Sequence, residues 1–109
     1  MSAGFTAQLR ARKRTIQLAP EGTANAITLR VEMPEVWDTV RIVASPDERA
    51  VVVKQRALEA LFPEAEFHQD FVLKLRGWEI LDEAATLGES GIANGSILLL
   101  THRRRRPVR

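Results

Sequence analysis

The chain contains no cysteine. Disulfides, thiolate nucleophiles and cysteine-ligated zinc are therefore excluded, and a small fold must stand on packing alone. Nor is there a run of about 18 apolar residues, the length a helix needs to cross a bilayer. The first residues lack the apolar core of about 7 to 15 residues that marks a secretory signal, so the expected location is the cytoplasm. An organelle transit peptide is suggested by the acid-free, basic first 20 residues, but their shortage of serine argues against it. Histidine is scarce as well. His68 and His102 stand 34 residues apart with no cysteine beside them, so both read as surface groups and no metal is expected. The six glycines form no phosphate loop, and Glu79, Asp82 and Ser90 belong to no nucleophile elbow. They read as solvated polar residues, and neither an enzymatic activity nor a cofactor is expected.

What remains is 109 residues, 45% of them apolar, enough for one domain with a single modest core. The formal charge of +2 conceals an uneven distribution. Arg10, Arg12, Lys13 and Arg14 against Glu21 make residues 1–26 +3, and five arginines make residues 103–109 +5. The body between them carries seven basic and thirteen acidic residues and is −6. Electrostatic partners are therefore to be sought at the two basic ends.

Three parts follow from the pattern: a flexible basic lead over 1–26, a folded domain over 27–102 and an arginine-rich tail over 103–109. In the lead, turn formers cluster from Ala19 to Thr23, and Thr15 to Leu18 could add a strand with Ile16 and Leu18 on one face. Ile27, Leu29, Val31 and Met33 then alternate with polar residues as a strand with one wet face, which Pro34 stops. Pro34 to Trp37 turns the chain into a second strand around Val40 and Ile42, an antiparallel hairpin. Ser45-Pro46-Asp47-Glu48 carries a capping serine, a proline for the first helical position and a glutamate three residues on, so a helix is expected to begin there. Ala50, Val53, Ala57, Leu58 and Leu61 give that helix one apolar stripe, and Pro63 ends it. Phe71, Leu73 and Leu75 alternate in a third strand, Gly77 turns it into a short strand at Glu79 to Leu81, and Thr86-Leu87 and Ile92 anchor a compact loop. Asn94-Gly95 supplies a turn with positive φ before the last strand, Ser96 to Thr101, which is apolar almost throughout.

This order, β-β-α-β-β-β, resembles the ubiquitin-like β-grasp fold over residues 27–102. The α+β class follows, with a mixed sheet of four to five strands and one helix packed across it. Besides the order, Pro46 before the helix and Val53-Lys54 within it, Gly77, Leu81-Asp82, Thr86-Leu87, Ile92, Asn94-Gly95 and the leucines Leu98 and Leu100 are similar to ubiquitin's own features. Two departures are plain. Ubiquitin and the sulfur carriers act through a terminal Gly-Gly, whereas the sequence has no Gly-Gly pair and reads Arg106-Pro107-Val108-Arg109 at its end. Lys74 stands where ubiquitin's recognition patch has its central isoleucine, with Leu99 and Thr101 at the neighbouring outward positions. The resemblance thus implies a non-conjugating relative, more like the YukD-like bacterial ubiquitin-like proteins or like ubiquitin-like subunits of larger complexes. Thirteen arginines against three lysines also suit a GC-rich bacterial genome.

Candidate binding residues are then Lys74, Arg76, Trp78, Leu99 and Thr101, a protein-docking face. Trp37 and Trp78 fall in turns, where each reads first as a lid on the core and, if exposed, as an interface anchor. Arg103, Arg104, Arg105, Arg106 and Arg109 form a second candidate, for phosphates or an acidic partner. A tail of five arginines limits the salt slope on nucleic acid to about −4.5, and no aromatic residues interleave to stack on bases. The expected function is a protein-interaction adaptor or accessory subunit. The alternative is a weak, sequence-independent binder of nucleic acid or an anionic surface.

Overall fold

A computed structural model of the chain describes residues 15–103. The strands are β1 (Thr15–Gln17), β2 (Ile27–Met33), β3 (Asp38–Ala44), β4 (Phe71–Leu75), β5 (Trp78–Glu79) and β6 (Ile97–His102), with one α-helix, α1 (Ala50–Leu61), between β3 and β4. They form a single mixed sheet in the order β1-β3-β2-β6-β4-β5, in which β1 lies parallel to β3 and β2 parallel to β6. The sheet has six strands and not four to five. The additional one comes from the lead, where Ile16 pairs with Ile42 and packs against the core, so Thr15–Gln17 of the lead belongs to the sheet.

Alternation does most of the building. Ile27, Leu29, Val31 and Met33 of β2 and Val40, Ile42 and Ala44 of β3 are buried, as are Leu98 and Leu100 of β6. Val53, Ala57 and Leu58 of α1 close over them without solvent exposure, while Leu61 is only half-buried. One face of the sheet thus carries the helix and the core, and α1 is the only α-helix among the described residues to cover it. No described element covers the other face, called the open face below.

The helix begins later than its capping signal. Ser45 Oγ accepts the Asp47 amide at 3.1 Å and Ser45 O accepts the Glu48 amide at 3.0 Å, which makes a turn of this segment. The helix N-cap is Arg49, with no side-chain cap. Tertiary pairing decides this. Leu87 N–H donates to Glu48 O at 2.8 Å and Gly88 N–H to Pro46 O at 2.9 Å, holding residues 46–48 in that turn against the loop. Ala50 N–H and Val51 N–H, two of the amides a helix start leaves free, donate to Ala85 O at 3.0 Å and Glu83 O at 2.8 Å. The loop's carbonyls replace the serine cap.

The same loop reaches the helix interior. Lys54 is 3% exposed, and its Nζ donates to Glu83 Oε1 at 2.7 Å and to Phe71 O at 3.0 Å, tying α1 to both the loop and the start of β4. Leu87 and Ile92 are buried as anchors of the loop.

Candidate functional site

The open face is built of residues that alternate outward, and the register sets them in rows. One row runs Thr39, Glu32, Leu99, Lys74, Glu79 across β3, β2, β6, β4 and β5. A second row places Arg41 opposite Arg30 and Arg30 beside Ile97. Thr101 pairs with Val72 further along β4. Val72 points outward by alternation yet is 2% exposed. Arg103 follows β6 and Glu79 lies on β5, so their ion pair of 2.8 Å crosses β4 on this face.

Of the five expected docking residues, Lys74, Leu99 and Thr101 come together. They line a groove of about 530 Å³ with Pro34, Glu35 and Arg103 among its walls. Glu35, from the turn after β2, accepts the Thr101 hydroxyl at 2.6 Å and the His102 amide at 3.0 Å, so it caps the end of β6 where β2 has already stopped. Nothing in the sequence pattern flagged Glu35, because the bond joins residues 66 positions apart.

Arg76 and Trp78 belong elsewhere. Arg76 (φ 53) and Gly77 (φ 86) are the two central residues of the β4–β5 hairpin, both left-handed as a type I′ turn requires. Trp78 registers with Leu75, and Lys74 with Glu79. Because paired residues share a face, Trp78 projects to the side opposite Lys74. With Arg76, Leu75 and Leu81 it lines a separate shallow depression of about 720 Å³ at the β5 edge, rimmed by Glu79, Asp82 and Glu89. The expected single face is therefore two adjoining surfaces.

Neither tryptophan lids the core. Trp78 is 79% exposed, next to Leu81 at 82%, and Trp37 is 92% exposed at the left-handed end of the β2–β3 turn, with φ 51. The histidines differ from expectation too: both are half-buried, and the His102 ring packs edge-on against Phe71 at 5.0 Å. No group of three or more metal-ligating side chains occurs among the described residues. Of the candidate tail residues, Arg103 pairs with Glu79, while Arg104, Arg105, Arg106 and Arg109 lie outside the described residues. No described helix is long and apolar enough to cross a membrane.

The sheet order and its single crossing helix among the described residues define a ubiquitin-like fold. Solved structures agree at the level of fold. The chain is similar to the ubiquitin-like domain of an Arabidopsis thaliana protein, with 17% identity and a TM-score of 0.60 over 84% of this chain and 94% of that one. The C-terminal ubiquitin-like domain of mouse tubulin-specific chaperone e matches with 15% identity and a TM-score of 0.63, covering 83% of this chain and all of that one. Caldiarchaeum subterraneum ubiquitin matches with 15% identity and a TM-score of 0.60 over 76% and 96% of the two chains. A comparison with curated proteins gives no match. The family model described as "Protein of Unknown function (DUF2604)" matches residues 22–103, and the chain belongs to that family.

Proposed function

We propose that this protein is a non-enzymatic ubiquitin-like adaptor or accessory subunit that docks another protein through the surfaces around Lys74, Arg76, Trp78, Leu99 and Thr101. The observation that carries the reading is the exposure of Trp78 and Leu81 beside an uncovered sheet face. Large apolar side chains held in water at one place are what a partner's surface covers, and tryptophan is among the strongest such anchors. A role without conjugation is supported by Arg103 to Arg106, which stand directly after β6 where the conjugated modifiers carry a slender diglycine tail. The arginine-rich, lysine-poor composition favours a bacterial, YukD-like member working in the cytoplasm.

The test is quantitative affinity capture with Lys74→Glu, Trp78→Ala and the two combined, each checked for an unchanged melting temperature. The expected result is loss of specific partners from the double variant. Because the two residues lie on different surfaces, the single variants report which surface each partner uses. Retention of every partner by the double variant refutes the assignment.

A further inference from the structure

Arg30 and Arg41 are both exposed and face each other at one register position of β2 and β3. Like charges directly opposite one another in an antiparallel pair destabilise the sheet. Arg49, Arg56 and Arg103 have oxygen partners, Arg49 donating to Ala84 O, Arg56 lying 3.7 Å from Glu59 and Arg103 2.8 Å from Glu79, whereas Arg76 at the β4–β5 turn has none but faces no second cation across a strand pair. Among the described residues neither the Arg30 nor the Arg41 guanidinium has an acceptor, although the chain carries 14 carboxylates. Ile97, paired with Arg30 in the same row on the neighbouring strand β6, is 51% exposed, and the three side chains line a small depression of about 170 Å³ together with Thr28 and Ser96. A locally unfavourable arrangement kept without compensation inside the fold is where function is to be sought.

We propose that Arg30 and Arg41 clamp the carboxylates of an acidic segment of a protein partner, with Ile97 receiving an apolar side chain next to them. The inference rests on the adaptor reading only in placing the docking surface on the open face. It names a different part of that face and the chemistry of what binds there. Two guanidinium groups on adjacent strands can each hold a carboxylate in a bidentate fork. A peptide fits better than a nucleic acid. The row next to the pair holds Glu32, which a long phosphate backbone would meet and a short acidic segment need not, and Ile97 offers an apolar contact in place of a stacking ring.

The experiment is fluorescence anisotropy of the full chain with a labelled ten-residue peptide of aspartate and glutamate around one central leucine, and in parallel with a ten-nucleotide thymidine oligomer. Three double variants are compared with the wild type: Arg30→Gln/Arg41→Gln, Arg49→Gln/Arg56→Gln as a control of equal charge change, and Lys74→Glu/Trp78→Ala. The clamp predicts that the first variant loses roughly tenfold in peptide affinity, equivalent to about 1.4 kcal/mol, and that the control loses little. No peptide binding by the wild type, equal loss in the first two variants, or a loss of oligomer binding as large as that of peptide binding overturns it. Unchanged peptide binding by the third variant separates this inference from the assignment of Lys74 and Trp78. A readout without any ligand accompanies these. Removing one charge by Arg30→Thr should raise the melting temperature by about 1 to 3 °C at low salt, and a fall would show that the pair is not repulsive.

Discussion

Removing the Glu83 carboxylate as Glu83→Ala leaves the Lys54 ammonium at 3% exposure with a single remaining acceptor, Phe71 O at 3.0 Å. Breaking a buried pair by deleting one partner costs about 3 to 5 kcal/mol, because the remaining charge is stranded. Glu83 is itself 21% exposed, so water reaches the vacated position, and a cost just below that range, about 2 to 3 kcal/mol, is expected. Lys54→Met keeps the apolar stem, deletes the charge and deprives Phe71 O of a donor, at about 1 to 2 kcal/mol. In the Lys54→Met background nothing charged remains to strand, so Glu83→Ala should add less than about 0.5 kcal/mol, giving a coupling of roughly 2 kcal/mol. Urea denaturation at neutral pH measures all four proteins. With m of about 1 to 3 kcal/mol/M, Glu83→Ala alone should lower the midpoint by about 1 M or more. If Glu83→Ala costs under about 1 kcal/mol and costs the same in both backgrounds, the pair is worth no more than an ordinary surface ion pair, and the account of how the loop holds the helix fails.

Three further outcomes follow by the same assay. Leu58→Ala removes a fully buried side chain and should cost about 2.7 to 5 kcal/mol, whereas half-buried Leu61→Ala should cost about 1 kcal/mol; equal losses would mean that the helix face is rotated. Ser45→Ala should cost less than about 0.5 kcal/mol, because the serine closes an exposed turn, and a loss near 1 kcal/mol would restore it as a helix cap. Gly77→Ala meets no neighbouring atom, so any loss comes from its φ of +86 alone and should be about 1 to 2 kcal/mol; no loss would refute the type I′ turn.

Fold was legible in the sequence wherever a strand alternates, because alternation is a local statement about which side faces the core. Residues 27–33, 38–44 and 71–75 are of this kind. Legibility failed where one distant segment overrode another's local preference. The serine cap lost to backbone carbonyls at Glu83 and Ala85, almost forty residues away, and no window around Ser45 contains them. The docking face failed for a different reason. Lys74, Arg76 and Trp78 look like alternate positions of one strand, but the two-residue turn at Arg76 and Gly77 folds the chain back, so Trp78 inherits the side of Leu75. The Arg30–Arg41 pair, by contrast, was within reach. Once Met33 and Asp38 close the hairpin, residues whose numbers sum to 71 must oppose each other, and 30 and 41 do.

The strongest sequence signal about the open face lies in β6. Its neighbour β2 spends its outward positions on Thr28, Arg30 and Glu32, as a strand wet on one side should. β6 sits inside the sheet between β2 and β4, yet places Ile97 and Leu99 at its outward positions, one of them 51% exposed and the other half-buried. Its inner neighbours Leu98 and Leu100 are fully buried under α1. A strand apolar on both sides is expected where both sides are covered, and here the helix covers one. The outward pair therefore marks an apolar strip that no described element covers, flanked by Arg30 on one side and Lys74 on the other. Replacing Ile97 and Leu99 by threonine separates this from a packing role. Since neither is fully buried, stability should fall by less than about 1 kcal/mol for each, while capture of any partner that uses the open face should be lost. A large stability loss with capture intact would make the strip part of the protein's own core.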